Sequence, residues 1–304
     1  MYKRREYILH NIKWFQKFNP KMFHEKIRLN LFKYYGPIIN NIQIGGQKDK
    51  KKDIKFLQTY NGFIFRINIR RIRQEFLINV LTHTNKNKEP LDCANIVVDK
   101  NSETANITNI SFYPECFLDE NFVVPLQDKN ISGTVLLKFI VGFLKKNKDS
   151  FGITKIQLSD NSLKPCNSCP YNVRLTIMHT LLYGDTWYGG HGFRPCDPDT
   201  QQIDKKKNKL YENNIRIVQN AKVKDVDLIK YINEAIYKYK IKNYDKTQIT
   251  TQIKLLQNEK LSDFLLMFLK NYDKNCCIFH YIGNKIFDKL KLYDFYFHPF
   301  CLIF

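Results

Sequence analysis

The chain is expected to fold as an α+β protein: a mixed, mainly antiparallel sheet with packed helices, plus helical N- and C-terminal appendages. Three observations lead there. β-Branched and aromatic runs separated by turn chemistry fill residues 63–112, the apolar period changes to that of a helix at 135–144, and strand and helix then alternate. The resulting order, β, β, β, β, α, β, α, places strands first and an alternating half after them.

The elements follow in chain order. From Asn11 to about Leu31, Trp14, Phe15, Phe18, Phe23, Ile27 and Leu31 recur with helical spacing, which predicts one or two short helices broken at Pro20. Gly45-Gly46 and the lysines of 48–52 read as a polar loop, because such a run cannot bury a face. Strands are expected over Phe63–Ile69, Glu75–Leu81, Ala94–Val98 and Ile107–Phe112, the last two joined by a turn at Asp99–Glu103. Three or four antiparallel strands should result.

Val135, Leu136, Phe139, Ile140, Phe143 and Leu144 then lie on one face of a helix. A strand is expected over Ile153–Leu158, and a second helix, with Val173, Ile177, Met178, Leu181 and Leu182 on one face, ends at Gly184. Residues 197–214 read as a polar, lysine-containing loop and Ile215–Gln219 as a short strand. From Asp225 the pattern is helical again: Leu228, Ile229, Ile232, Ala235 and Ile236 form a stripe, and Ser262 caps the apolar run Phe264–Leu269. The closing stretch Phe295–Phe304 is too aromatic for a free tail and should pack back on the body. Three segments are therefore expected: a basic helical stretch 1–56, a main domain 57–222 and a mainly helical region 223–304.

With 43% hydrophobic residues, including 23 Phe and 18 Tyr, the chain is too apolar to be wholly disordered, yet no apolar run approaches the ~18 residues of a membrane span. The opening apolar stretch, Tyr7-Ile8-Leu9, is too short for a signal peptide, so an intracellular, cytoplasmic location is expected. The net charge is +20, and residues 1–56 hold 14 basic and 4 acidic side chains, half of the excess in less than a fifth of the length. That segment, with aromatics among its Lys and Arg, suits nucleic acid or an acidic phospholipid surface. The Asn, Lys and Ile richness is equally what an AT-rich genome produces, and a large DNA virus is the expected source.

An intracellular chain should keep its eight cysteines as thiols. Cys166-Asn-Ser-Cys169 has the gap of a zinc knuckle or a redox pair, and His179, His191 and Cys196 could complete a zinc site. No second CxxC exists, so free thiols in a loop between Pro165 and Pro170 are the expectation, with no metal.

Two places suit chemistry. Residues 122–134 end in Gln127-Asp-Lys-Asn130-Ile131-Ser132-Gly133-Thr134 and open the first amphipathic helix, where unpaired N–H groups and the helix dipole favour a phosphate. Taken alone, Ser132 reads rather as an ordinary N-cap, since every helix needs one. The second is Tyr183–Pro195, in which Gly184, Gly189, Gly190 and Gly192 surround Trp187, Tyr188 and Phe193. A tyrosine held there can donate a proton, or the aromatics simply cover the sheet end.

Trp187-Tyr188-Gly-Gly-His-Gly192-Phe193 resembles the aromatic-Tyr-x-x-x-Gly-Phe signature of the GNAT acyltransferases, and Gln127-x-x-Asn130-x-Ser132 is similar to that superfamily's pyrophosphate loop. The resemblance covers roughly residues 60–220 and implies a GNAT-like N-acyltransferase using acetyl-CoA to acylate an amine. It implies that Gln127, Asn130, Ile131, Ser132, Gly133 and Thr134 hold the cofactor and that Tyr188 protonates the departing thiolate. Asp160, after the strand Ile153–Leu158, is the best-placed base and His191 the second. The alternative is a basic, nucleic-acid-binding scaffold on a decayed acyltransferase fold.

Overall fold

The computed structural model describes residues 53–83, 89–111, 113–119, 133–242 and 244–304. The helices expected within 11–31, almost all of the basic segment, and Gln127, Asn130, Ile131 and Ser132 lie outside the described residues. The chain divides into two compact units at Ile153, within the stretch 57–222 expected as one domain.

The first unit is a meander. β1 (Ile54–Tyr60), β2 (Phe63–Ile72), β3 (Glu75–Leu81), β4 (Asp92–Asp99) and β5 (Thr104–Ile110) each pair antiparallel with the next, and the short β6 (Leu118–Asp119) pairs with β2. Side-chain alternation sets the register: Phe65, Ile67, Ile69, Ile78, Val80, Ile96 and Val98 are buried, each two residues from the next on its own strand. β1 was not expected from the sequence, and its hairpin to β2 turns on Asn61-Gly62. Both residues have positive φ, 49° and 76°, as a two-residue hairpin turn demands and as Asn-Gly supplies at low cost.

Helix α1 (Gly133–Lys146) turns Leu136, Leu137, Phe139, Ile140 and Leu144 inward. The Phe139 ring stacks on Phe65 of β2 with 4.0 Å between centroids. A one-turn helix α2 (Lys148–Phe151) adds Phe151, edge-on to Phe76 at 5.4 Å.

The second unit, Thr154–Phe304, is built around β7 (Lys155–Ser159). A small hairpin of β8 (Leu163–Lys164) and β9 (Val173–Arg174) leads into α3 (Leu175–Tyr183), and β10 (Arg194–Pro195) follows the aromatic turn. Then come α4 (Lys205–Asn220), α5 (Leu228–Lys238), α6 (Lys246–Leu255), α7 (Leu261–Phe268), α8 (Tyr272–Lys289) and β11 (Pro299–Ile303). β11 pairs antiparallel with β7 on one side, Phe300 opposite Leu158, and with β10 on the other, Cys301 opposite Arg194. The aromatic C-terminal stretch is thus an inner strand. The helices share a core in which Ile177, Leu181, Phe264, Leu265, Phe279 and Ile282 are buried. Among the described residues no helix is long and apolar enough to cross a membrane.

Three expectations are corrected here. The lysine-containing loop 197–214 and the strand Ile215–Gln219 are instead largely one helix, α4. Asp204 caps it by accepting from Lys207 N at 2.9 Å, and Tyr211, Asn214 and Val218, three and four residues apart, form its buried stripe. Its exposed lysines are the solvated face of a helix. Ser262 does not cap α7, which begins at Leu261 after an extended Lys260 with no side-chain cap.

Six of the eight cysteines are not thiols: Cys93 pairs with Cys116, Cys166 with Cys276 and Cys196 with Cys301, leaving Cys169 and Cys277 free. Disulfides persist where the surroundings are oxidising, so the reduced state expected of an intracellular chain is not the one this fold holds.

Candidate functional site

β7 delivers Asp160 into a closed corner. The residue is fully buried: its N–H donates to His298 O (3.3 Å) and its carbonyl accepts from Phe297 N (2.9 Å), so the approach to β11 fixes the backbone. Oδ1 accepts from Ser162 N at 3.3 Å, the Asp-x-Ser spacing of a side-chain turn. Ser162 Oγ donates onward to Tyr188 Oη at 3.4 Å. Tyr188 lies in the turn after α3, where its carbonyl accepts from His191 N and Phe193 N. Its ring packs between Trp187 at 4.8 Å and Phe193 at 6.0 Å.

The electrostatics separate two roles. Burial pushes the Asp160 carboxyl up to about 6, with Asp294 adding to the rise, and Oδ2 is buried with no hydrogen-bond partner among the described residues. Near neutral pH Asp160 is therefore an ionised acceptor with one unused oxygen. Burial pushes the Tyr188 phenol up to about 12, the Ser162 hydrogen bond opposing and the Asp160 charge reinforcing the rise. Tyr188 keeps its proton. Ser162 thus holds a protonated phenol through its hydroxyl and an ionised carboxylate through its backbone N–H, which sets a proton donor and a proton acceptor beside one residue.

A second buried polar group lies one turn further on. Arg194 Nη1 donates to Gly189 O (3.0 Å) and Phe193 O (2.8 Å), and its guanidinium lies 5.3 Å from the Tyr211 ring centroid. Asp185 Oδ1 and Tyr211 Oη are buried without hydrogen-bond partners among the described residues, and a Cβ on Gly189 would collide with both. Gly189 is therefore required by close approach, its N–H held by Thr186 Oγ1 at 3.0 Å. Burial also raises Asp185 to about 6, against the charge of Arg194. His191, the second expected base, stands edge-on to Trp187 at 5.8 Å. His179 is pushed down to about 4, mainly by burial and then by Lys164 and His191.

Of the residues expected from the sequence, Tyr188 and Asp160 are brought together. Gly133 and Thr134 form the first two positions of α1, and Gln127, Asn130, Ile131 and Ser132 fall outside the described residues. Ser162, which links Asp160 to Tyr188, was missed, although the Asp-x-Ser spacing was a signal for it. The zinc set of Cys166, Cys169, His179, His191 and Cys196 is not assembled, since Cys166 and Cys196 have disulfide partners elsewhere. No group of three or more His, Cys, Asp or Glu among the described residues is arranged to hold a metal ion.

Comparison with known proteins finds no family model, no curated protein and no solved structure that matches the chain.

Proposed function

We propose that the chain is a GNAT-like N-acyltransferase that moves an acetyl group from acetyl-CoA to an amine. The observation that carries the reading is the Asp160–Ser162–Tyr188 series, with a protonated phenol at one end and an ionised carboxylate at the other, set in the aromatic turn that resembles the superfamily's signature. The order of elements from β5 through α1, β7 and α3 to that turn is in keeping with it. The resemblance assigns the pyrophosphate to Gln127, Asn130, Ile131, Ser132, Gly133 and Thr134, the last two of which open α1.

In this reading the amine nitrogen attacks the thioester carbonyl carbon and the carbon–sulfur bond breaks. Tyr188 gives its proton to the sulfur, and Asp160 takes the proton the nitrogen sheds. Asp160 then releases that proton and Tyr188 takes one up from solvent as the products leave, which resets the pair. The test is Tyr188→Phe, which keeps the ring and removes the proton. Turnover should fall roughly 10²-fold with acetyl-CoA affinity nearly unchanged, and a wild-type rate would make Tyr188 a packing residue.

A second reading, a basic scaffold that binds nucleic acid, is favoured by the charge concentrated in residues 1–56. Calorimetry with acetyl-CoA separates the two. Micromolar binding supports the enzyme, and absence of binding at millimolar concentration supports the scaffold.

A further inference from the structure

The loop Pro165–Pro170 and the first turns of α8 bring four cysteines together. Cys166 is disulfide-bonded to Cys276, and the thiol of Cys169 donates to the Cys166 sulfur at 3.5 Å, adjacent to the existing bond. Cys169 is half-buried and so reaches solvent, whereas the second free thiol, Cys277, is buried. Ser168 Oγ lies 3.3 Å from both Cys166 Sγ and Cys276 Sγ.

We propose that Cys169 and the Cys166–Cys276 bond form a thiol–disulfide exchange site, in which Cys169 displaces Cys276 from Cys166 and closes the Cys166-Asn-Ser-Cys169 pair. The step balances without an outside oxidant. Cys169 gives its proton to solvent, its thiolate forms the Cys169–Cys166 bond, the Cys166–Cys276 bond breaks, and Cys276 leaves as a thiolate that is reprotonated. The number of disulfides is unchanged. Ser168 is placed to hydrogen-bond the sulfur that acquires charge, and Cys276 lies near the N-terminus of α8, whose dipole favours a thiolate. Cys277, pushed up to about 12 by burial and then by its contact with Cys169, stays protonated and leaves Cys169 as the attacking group.

The exchange has a structural consequence. The Cys166–Cys276 bond ties the loop between β8 and β9 to α8. After exchange the loop keeps the hydrogen bond of Asn167 Nδ2 to Asp273 Oδ1 (3.1 Å) and that of Tyr272 Oη to Lys164 O (3.3 Å), but no covalent link.

The full chain, purified without reductant and held at pH 8, is sampled over minutes to hours, the range of uncatalysed disulfide rearrangement. Samples are quenched in acid, alkylated and mapped by non-reducing peptide mass spectrometry. The expected result is two linkages in the wild type, Cys166–Cys276 and Cys166–Cys169, complete loss of the second in Cys169→Ser, and Cys166–Cys169 alone at Cys166 in Cys276→Ser. A wild type that shows Cys166–Cys276 alone at every time overturns the proposal. So does stoichiometric zinc with all four thiols protected, which makes the cluster a metal site. If Cys276→Ser does not fold, the wild type and Cys169→Ser still decide.

Discussion

The two units solve the same problem, covering a sheet with helices, by opposite routes. In the first, each of β1 to β5 pairs with its neighbour in the chain across a short connection. In the second, β7 pairs with a strand from the far end of the chain, and α3 to α8 lie between the two. The disulfides follow the same division, with a separation of 23 residues in the first unit and of 110 and 105 in the second. Local pairing lets the first unit form by successive hairpins, whereas the second must close a long loop before its sheet exists.

The strongest way to break this comparison is to remove β11. A chain ending at His298 loses the strand between β7 and β10, the pairing of Cys196 with Cys301 and the buried Phe300. Hydrogen exchange should then show α3 and α8 losing most of their protection while amides of β2, β3 and β4 stay protected. Retained protection in α3 and α8 would mean that the helices hold themselves and that β11 only decorates them.

The disulfides sharpen it at intermediate size. On the chain-entropy account a 23-residue loop contributes about 3 kcal/mol and a 105-residue loop about 5 kcal/mol. The double variant Cys196→Ser with Cys301→Ser should therefore lose more stability in denaturant titration than Cys93→Ser with Cys116→Ser. An equal loss would locate the effect in packing around the sulfurs, because Cys93, Cys116 and Cys196 are fully buried and Cys301 nearly so.

The same contrast governs what the sequence discloses. The strands from Phe63 to Ile110 were legible because alternation and turn residues are local properties. β1 was not legible, although Asn61-Gly62 has hairpin chemistry, because it follows a lysine run and buries only Phe56, which leaves no apolar alternation to read. In the second unit α3 and the stripe of α5 were legible, but α4 was hidden by its lysines and by Ile215, Ile217 and Val218, β-branched residues in a stretch too short to distinguish a strand from a helical face. No local pattern links residues 299–303 to 155–159, or Cys166 to Cys276. In the candidate site, Tyr188 could be picked out from its glycine-rich setting and Asp160 from its place after a strand. Their link through Ser162 depends on how the turn after β7 folds toward the turn after α3.

Asp160 gives the smallest expected effect in the comparison and the one that separates structure from function. A carboxyl whose folded value is about 6 holds a proton that the unfolded chain has released from about pH 4 upward. Stability from this group therefore falls as pH rises through that window and stays lower above it, by up to about 3 kcal/mol. Asp185 slopes the same way, while His179, held down to about 4, loses stability as pH falls below about 6.5, so the wild-type curve mixes opposing terms. The difference between Asp160→Asn and wild type isolates the one carboxyl, since Asn keeps an acceptor for Ser162 N–H and removes the charge. The variant should melt higher than wild type at pH 7.5 and show little difference at pH 4. A variant less stable than wild type at pH 7.5 would show that Oδ2 has a donor and that the ionised carboxylate is a favourable part of the fold. If stability rises and acyl transfer falls in the same variant, the protein is retaining a buried charge that its fold does not need, the pattern expected of a group kept for chemistry.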